Sequence, residues 1–180
     1  MMTGDVWFWV LAGLATLFVG SAKGGLPLIG TLAVPLMALQ ISPVVAAGLL
    51  LPIYIISDMY GLWIYRKSFD RRNIAILVPT AAIGIIFGWA TASVTNEDVV
   101  TILVGLIGLA YCIDAFLKAR RNLPPRSADV PRGIFWGAIA GFTSFVSHSG
   151  APPYQMYVLP QRLEKMVYAG TSTIVFAIIN

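Results

Sequence analysis

The chain has 180 residues, of which 58% are hydrophobic and only 11% charged, with twelve basic and eight acidic side chains giving a formal charge of +4. Soluble domains carry about a quarter charged residues, so this composition excludes an ordinary water-soluble fold and points to lipid as the natural solvent. The positive balance does not imply a nucleic-acid partner, because most of the cations lie in two loops, Arg66 to Arg72 and Lys118 to Arg132, the pattern of cytoplasmic membrane loops.

The apolar stretch from Val6 to Gly20 follows Asp5 rather than a basic segment, and no cleavage signature follows it. It is therefore expected as a retained first span rather than a signal peptide. It runs into a polar, glycine-bearing turn, Ser21 to Pro27 (SAKGGLP), which does not suit a continuous helix. The proline-containing segment Leu26 to Leu39 either crosses the bilayer or is re-entrant, and crossing, with the N-terminus outside, is the favoured reading. Val44 to Tyr65, Ile74 to Ala92 and Val99 to Leu117 are ordinary spans, each near the roughly 20 residues needed to cross about 30 Å of hydrocarbon. The loop after the first of these is basic, whereas Thr95 to Asp98 carries two acids and no cation, so the two lie on opposite sides of the membrane.

From Lys118 to Arg132 the chain is basic and contains Pro124, Pro125 and Pro131, the signature of a cytoplasmic linker. It divides the chain into a first repeat, residues 1–117, the linker 118–132, and the start of a second repeat, 133–180. Gly133 to Val146 is again a short span, and it too runs into a polar turn, Ser147 to Pro153 (SHSGAPP). An offset of 125 residues pairs Lys23 with His148, Gly25 with Gly150, Pro27 with Pro152 and Pro35 with Pro160; an offset of 122 then pairs Ala47 with Ala169, Gly48 with Gly170 and Asp58 with Asn180. Seven matches in order indicate an internal duplication. Five spans separate the two equivalent first helices if Leu26 to Leu39 crosses, which makes the repeats inverted; a re-entrant segment makes the count four and the repeats parallel. The fold class expected is thus an all-α polytopic bundle of two homologous repeats with broken helices. The second repeat stops at Asn180 without counterparts to the later spans of the first, so it is expected to be truncated.

The broken segments are where chemistry is expected. Non-helical backbone at membrane depth survives only where protein or a wet cavity satisfies it. Helices beginning near Leu26 and Ala151 would offer free N–H groups and partial positive charge to an anion. The candidate substrate-binding residues are Ser21, Lys23, Gly24 and Gly25 in the first turn, and Ser147, His148, Ser149 and Gly150 in the second. Ionisable groups inside a membrane mark pathways, although Lys23 can also snorkel to lipid phosphate, the histidine can simply bond a freed carbonyl, the serines can act as caps, and the glycines can serve packing. Asp58 lies within its span, roughly 12 Å from the basic end at helical rise. It and its counterpart Asn180 are candidates for coupling, with a structural hydrogen bond to Ser57 or a tyrosine as the alternative for Asp58. Asp114 and Lys118 fit a surface-level ion pair, Pro79, Gly84 and Gly88 a kink and packing devices, and Trp7, Trp9, Trp63, Tyr65 and Trp136 interfacial anchoring.

These features, VGSAKGGLPLIG from Val19, VVAAGLLLP from Val44, the basic loop after it and SFVSHSGAPPYQMYVLP from Ser144, resemble the sulfite exporter TauE/SafE family over essentially the whole chain. The resemblance implies a multi-pass transporter of a bacterial inner membrane with two homologous halves, handling sulfite or small organosulfonates. This second half departs from the common glycine-rich form at His148, Ser149, Pro152, Pro153, Tyr154 and Gln155. A passive anion channel built on two half-helices is the alternative function. An enzyme is disfavoured: a hydrolase needs a serine and a histidine within reach, normally from different helices, whereas Ser147, His148 and Ser149 are consecutive and no second histidine exists. A lone histidine and the single Cys112, which lies in an apolar run, give no metal set, and there is no phosphate-cradling motif. No cofactor or nucleic acid is expected; the partners are a small anion and the lipid bilayer, with a homo-oligomer left open.

Overall fold

The computed structural model describes residues 6–92, 102, 105–106, 108–113, 116–117 and 124–179. All regular structure among them is helical: α1 (Val6–Lys23), α2 (Pro27–Gly30), α3 (Ala33–Met37), α4 (Pro43–Tyr65), α5 (Arg71–Thr91), α6 (Val130–Ser147), α7 (Ala151–Val158) followed by a 3-10 turn (Leu159–Gln161), and α8 (Lys165–Ile179). The described residues between 102 and 117 are helical too, but the rest of the expected span Val99 to Leu117, the acidic loop Thr95 to Asp98, Asp114, Lys118 and Asn180 lie outside the described residues.

Three helices, α1, α5 and most of α4, are long and apolar enough to cross a membrane. Their exposure pattern is that of a membrane protein. Leu17, Ile56, Met59, Ile83, Ile86 and Phe87 point outward from mid-helix, while Asn73, Thr80, Thr143, Ser144, Thr171, Ser172 and Thr173 are buried. Water would penalise such an outward apolar surface; hydrocarbon does not, and it drives polar groups inward to find partners.

The helix boundaries follow from local chemistry. Ser42 caps α4, its hydroxyl accepting from the Val45 N–H at 3.4 Å, with Pro43 in the first turn, where a missing N–H costs nothing. Asp70 caps α5 by accepting from the Asn73 N–H at 2.7 Å, so α5 begins three residues ahead of the apolar pattern. Asp129 accepts from the Arg132 N–H at 3.0 Å and starts α6 at Val130. The last three residues of the expected linker are thus helical.

The chain divides into two compact units, one formed by Met1–Phe69 with Lys165–Ile178, the other by Asp70–Glu164. In the first, α1 runs to Lys23 and the chain turns back through α2 and α3, which pack along it. Phe8, Ala15 and Val19 of α1 share a core with Ala33, Val34 and Met37 of α3 and Ala46, Leu50 and Tyr54 of α4. Leu26 to Leu39 is therefore not one continuous helix. Its pieces have four and five residues, about 6 and 8 Å at 1.5 Å per residue, and form the returning arm of a hairpin. α4 runs in the direction of α1: its residues in that core all precede Asp58, which lies level with Lys23. α8 runs against α4, because Gly61 meets Thr173 whereas Gly170 meets Tyr65 and the Ser68 carbonyl.

The second unit is built on a close seam between α5 and α6. Gly133, Gly137 and Gly141, spaced four apart on α6, lie against Ile76, Thr80 and Ala81, while Gly84 and Gly88 of α5 lie against Ala138, Phe142 and Phe145. Position numbers rise together on both sides, so the helices are parallel. Small residues at this spacing let backbones approach and maximise dispersion contact, the main source of helix association in lipid. The packing role expected for Gly84 and Gly88 is met, and Gly133, Gly137 and Gly141 of α6 complete the seam. After Ser147 the chain again doubles back. Arg132 donates to the Met156 carbonyl at 3.2 Å, the Tyr157 hydroxyl to the Asp129 carbonyl at 3.0 Å, and the Arg126 N–H to the Pro160 carbonyl at 2.9 Å. The returning arm thereby ends level with the start of α6. Its base is fastened to α5 by a reciprocal amide pair, Asn73 Nδ2 to Gln161 Oε1 at 2.8 Å and Gln161 Nε2 to Asn73 Oδ1 at 3.0 Å, both side chains buried.

Candidate functional site

Both expected helix breaks are present, and they end differently. α1 continues through Ser21 and Ala22, three residues past the expected end, and stops at Lys23. The Gly24 N–H donates to the Ser21 carbonyl at 3.0 Å, and Gly25 takes φ +96°, a left-handed conformation that glycine adopts without a Cβ penalty. Lys23 is placed in the last turn of α1, where free carbonyls favour a cation. Its ammonium donates to Asp58 Oδ1 of α4, with side chains only 13% and 8% exposed. Tyr54, one turn before Asp58, donates its hydroxyl to the Gly30 carbonyl at 2.9 Å and so fixes the returning arm against α4. Ser57 donates instead to the Tyr54 carbonyl at 2.9 Å, so the partner of Asp58 is Lys23, which the sequence did not pair with it.

Ser21 and Gly24 are exposed and Gly25 is half-buried, with Ala169 of α8 3.7 Å from where its Cβ would stand. On the face of α8 that meets α4, Thr173 is 2% exposed, and among the described residues its hydroxyl has no hydrogen-bond partner. It stands where a Cβ on Gly61 would come within 3.5 Å of the hydroxyl oxygen, three positions along α4 from Asp58. Neither Thr173 nor Tyr54 was a sequence candidate. The run Thr171 to Thr173 in an otherwise apolar segment was the available signal, since buried hydroxyls in lipid need a reason.

The second turn lies in the other compact unit. His148 caps α6 with φ 52°, a left-handed conformation uncommon for a residue with a Cβ. Its N–H donates to the Ser144 carbonyl at 2.9 Å, the single bond of an αL cap, and the Ser149 N–H donates to the Thr143 carbonyl at 3.2 Å. His148 is half-buried, Ser149 and Gly150 are buried, and Gly150 precedes the first turn of the wholly buried α7. Backbone donors are scarcer here than expected from the sequence. Pro152 and Pro153 have no N–H, and the Tyr154 N–H is used by the Gly150 carbonyl at 3.2 Å. At the first turn, α2 has four residues, too few peptide dipoles to make an anion-attracting helix start. The fixed positive charge of the described turns is thus a side chain, Lys23, rather than a helix end.

Among the described residues no group of three or more His, Cys, Asp or Glu side chains stands together to hold a metal ion. The apolar membrane-length helices and the inward polar groups make this a multi-pass membrane protein. No curated protein and no solved structure matches the chain. Residues 9–180 match the family described as Sulfite exporter TauE/SafE. The chain belongs to the sulfite exporter TauE/SafE family, which is consistent with a membrane transporter of small anions.

Proposed function

We propose that this protein is a secondary transporter of a small anion such as sulfite or an organosulfonate, seated in a bacterial inner membrane. The observation that carries the reading is the Lys23 ammonium at the tip of a broken helix hairpin, buried against Asp58 among segments that otherwise hold no charge: α1, α2, α3 and α4 contain only these two ionic side chains. A buried charge in lipid is costly and is kept where it meets a substrate or ion.

The proposal includes an inverted duplication. The order long helix, short return, long helix occurs twice, with α4 starting at Pro43 and α8 at Lys165, the offset at which Ala47 meets Ala169 and Gly48 meets Gly170. These equivalent helices run in opposite directions within one unit. Ser21, Gly24 and Gly25 shape the first turn around Lys23, and Ser147 to Gly150 shape its counterpart; rocking of one repeat against the other would give alternating access.

The test is flux of radiolabelled sulfite and small sulfonates into proteoliposomes, with chloride as a control. Saturable uptake is expected, reduced at least ~10-fold by Lys23→Ala, the loss of a fixed charge that contacts the ligand. Undiminished rate and affinity in that variant would remove Lys23, and with it the reading.

A further inference from the structure

We infer that Asp58 is the resting occupant of the anion seat, so that an anion gains Lys23 only as Asp58 takes up a proton. The inference rests on the anion-transport reading above and gives it a coupling ion. In the resting arrangement the two side chains form a closed, neutral pair. Adding an anion would leave one uncompensated negative charge beside a carboxylate in a poorly solvated place, which low dielectric penalises severely. If the carboxylate accepts a proton, its bond to the ammonium weakens, the anion takes the ammonium, and the site stays neutral for a monovalent ligand. The exchange balances: ammonium–carboxylate pair, proton and anion become ammonium–anion pair and carboxylic acid.

The surroundings supply what that exchange needs. Thr173 offers a buried hydroxyl without a partner among the described residues, on the α8 face that meets α4 at Gly61. It can donate to the incoming anion. The titratable groups facing Asp58 are few: Lys23 from α1 and Tyr54 from α4 itself. α2 and α3 carry none, α8 brings Lys165 and Tyr168 at its start, and Arg66 and Lys67 follow the end of α4. Asp58 is the one carboxyl among them, so a proton taken up on binding is assigned to it.

Isothermal titration calorimetry in detergent tests this, with isethionate as the probe because its sulfonate stays ionised throughout the near-neutral range, and in buffers of different protonation enthalpy. One proton taken up per isethionate is expected, with binding tightening ~10-fold for each unit of pH lowered while Asp58 is ionised. Asp58→Asn is expected to bind without proton uptake and without pH dependence. The uncharged pair Lys23→Gln with Asp58→Asn keeps hydrogen-bonding groups in place should the single variant misfold, and is expected to fold but not bind. Binding without proton uptake by the wild type, the wild-type pH slope in Asp58→Asn, or binding by the double variant overturns this inference and leaves transport standing. No binding of isethionate, sulfite or thiosulfate to the wild type overturns the transport reading and this inference together.

Discussion

Gly141→Ala tests the α5–α6 seam at its tightest point. A Cβ there would stand 2.6 Å from the Ala81 carbonyl carbon and 2.7 Å from its Cα, where carbon atoms rest at about 3.5–4.0 Å. The obstacles are backbone atoms, which cannot rotate aside, so α6 must retreat by about 1 Å, on the scale of that shortfall. The retreat loosens the seam from Ile76 and Gly133 to Gly88 and Phe145. Overpacking of this kind costs about 1–3 kcal/mol, and a rigid obstacle places this case near the upper end. Alanine regains about 0.5–1 kcal/mol over glycine as a helix former. The net loss is therefore about 2 kcal/mol, a factor of ~30 in the folded-to-unfolded ratio. Trp89 on α5 and Trp136 on α6 flank the seam, so fluorescence during titration from dodecyl maltoside into dodecyl sulfate reads it out. Gly13→Ala is the control: nothing stands within 4 Å of its Cβ position in α1, and it should gain the propensity term alone. Equal stability of Gly141→Ala and wild type, or a shift in the direction of Gly13→Ala, would refute the seam.

The other stability predictions concern buried polar groups and backbone conformation. Asn73→Leu should lower stability by about 1–3 kcal/mol by stranding the Gln161 amide, whereas Asn73→Leu with Gln161→Leu should recover most of the loss; thermal melting in a double-mutant cycle checks the coupling, and a purely additive cycle would deny it. His148→Gly should raise the melting temperature, because a residue with a Cβ in the left-handed region costs roughly 1–2 kcal/mol, less the added freedom of glycine when unfolded. A fall instead would show that the imidazole holds the turn together.

What could be read from the sequence was whatever rests on local chemistry. The membrane class followed from composition, and α4 was placed to within a residue because Ser42, Pro43 and the basic Arg66 and Lys67 bracket one apolar run. The start of α6 at Val130 is hidden in the sequence by Pro131, which suits a linker as well as the first turn of a helix. The break into α2 and α3 was illegible for a different reason: one continuous apolar helix and two short pieces have the same hydropathy, and only packing against α1 distinguishes them. Lys23 and Asp58 were each singled out but not joined. They are 35 positions apart, and pairing them needed the fold, even though the rule that intramembrane charges seek opposite charges was available.

The two hairpins share a backbone plan and differ in charge. The first places a lysine at its tip with a carboxylate opposite; the second places His148 there, in a turn closed by its own backbone, and the residue that duplication pairs with Asp58 is the amide Asn180, outside the described residues. Among the described residues of the two turns, only the first holds a lysine beside a carboxylate to exchange for an anion. On the proposed reading a repeated scaffold need not repeat the seat, and each chain should bind one anion rather than two. A calorimetric titration should saturate at one isethionate per chain, and Lys23→Ala should abolish that single site. Two equivalent sites, or one that survives loss of Lys23, would place the charge that holds the anion elsewhere in the chain.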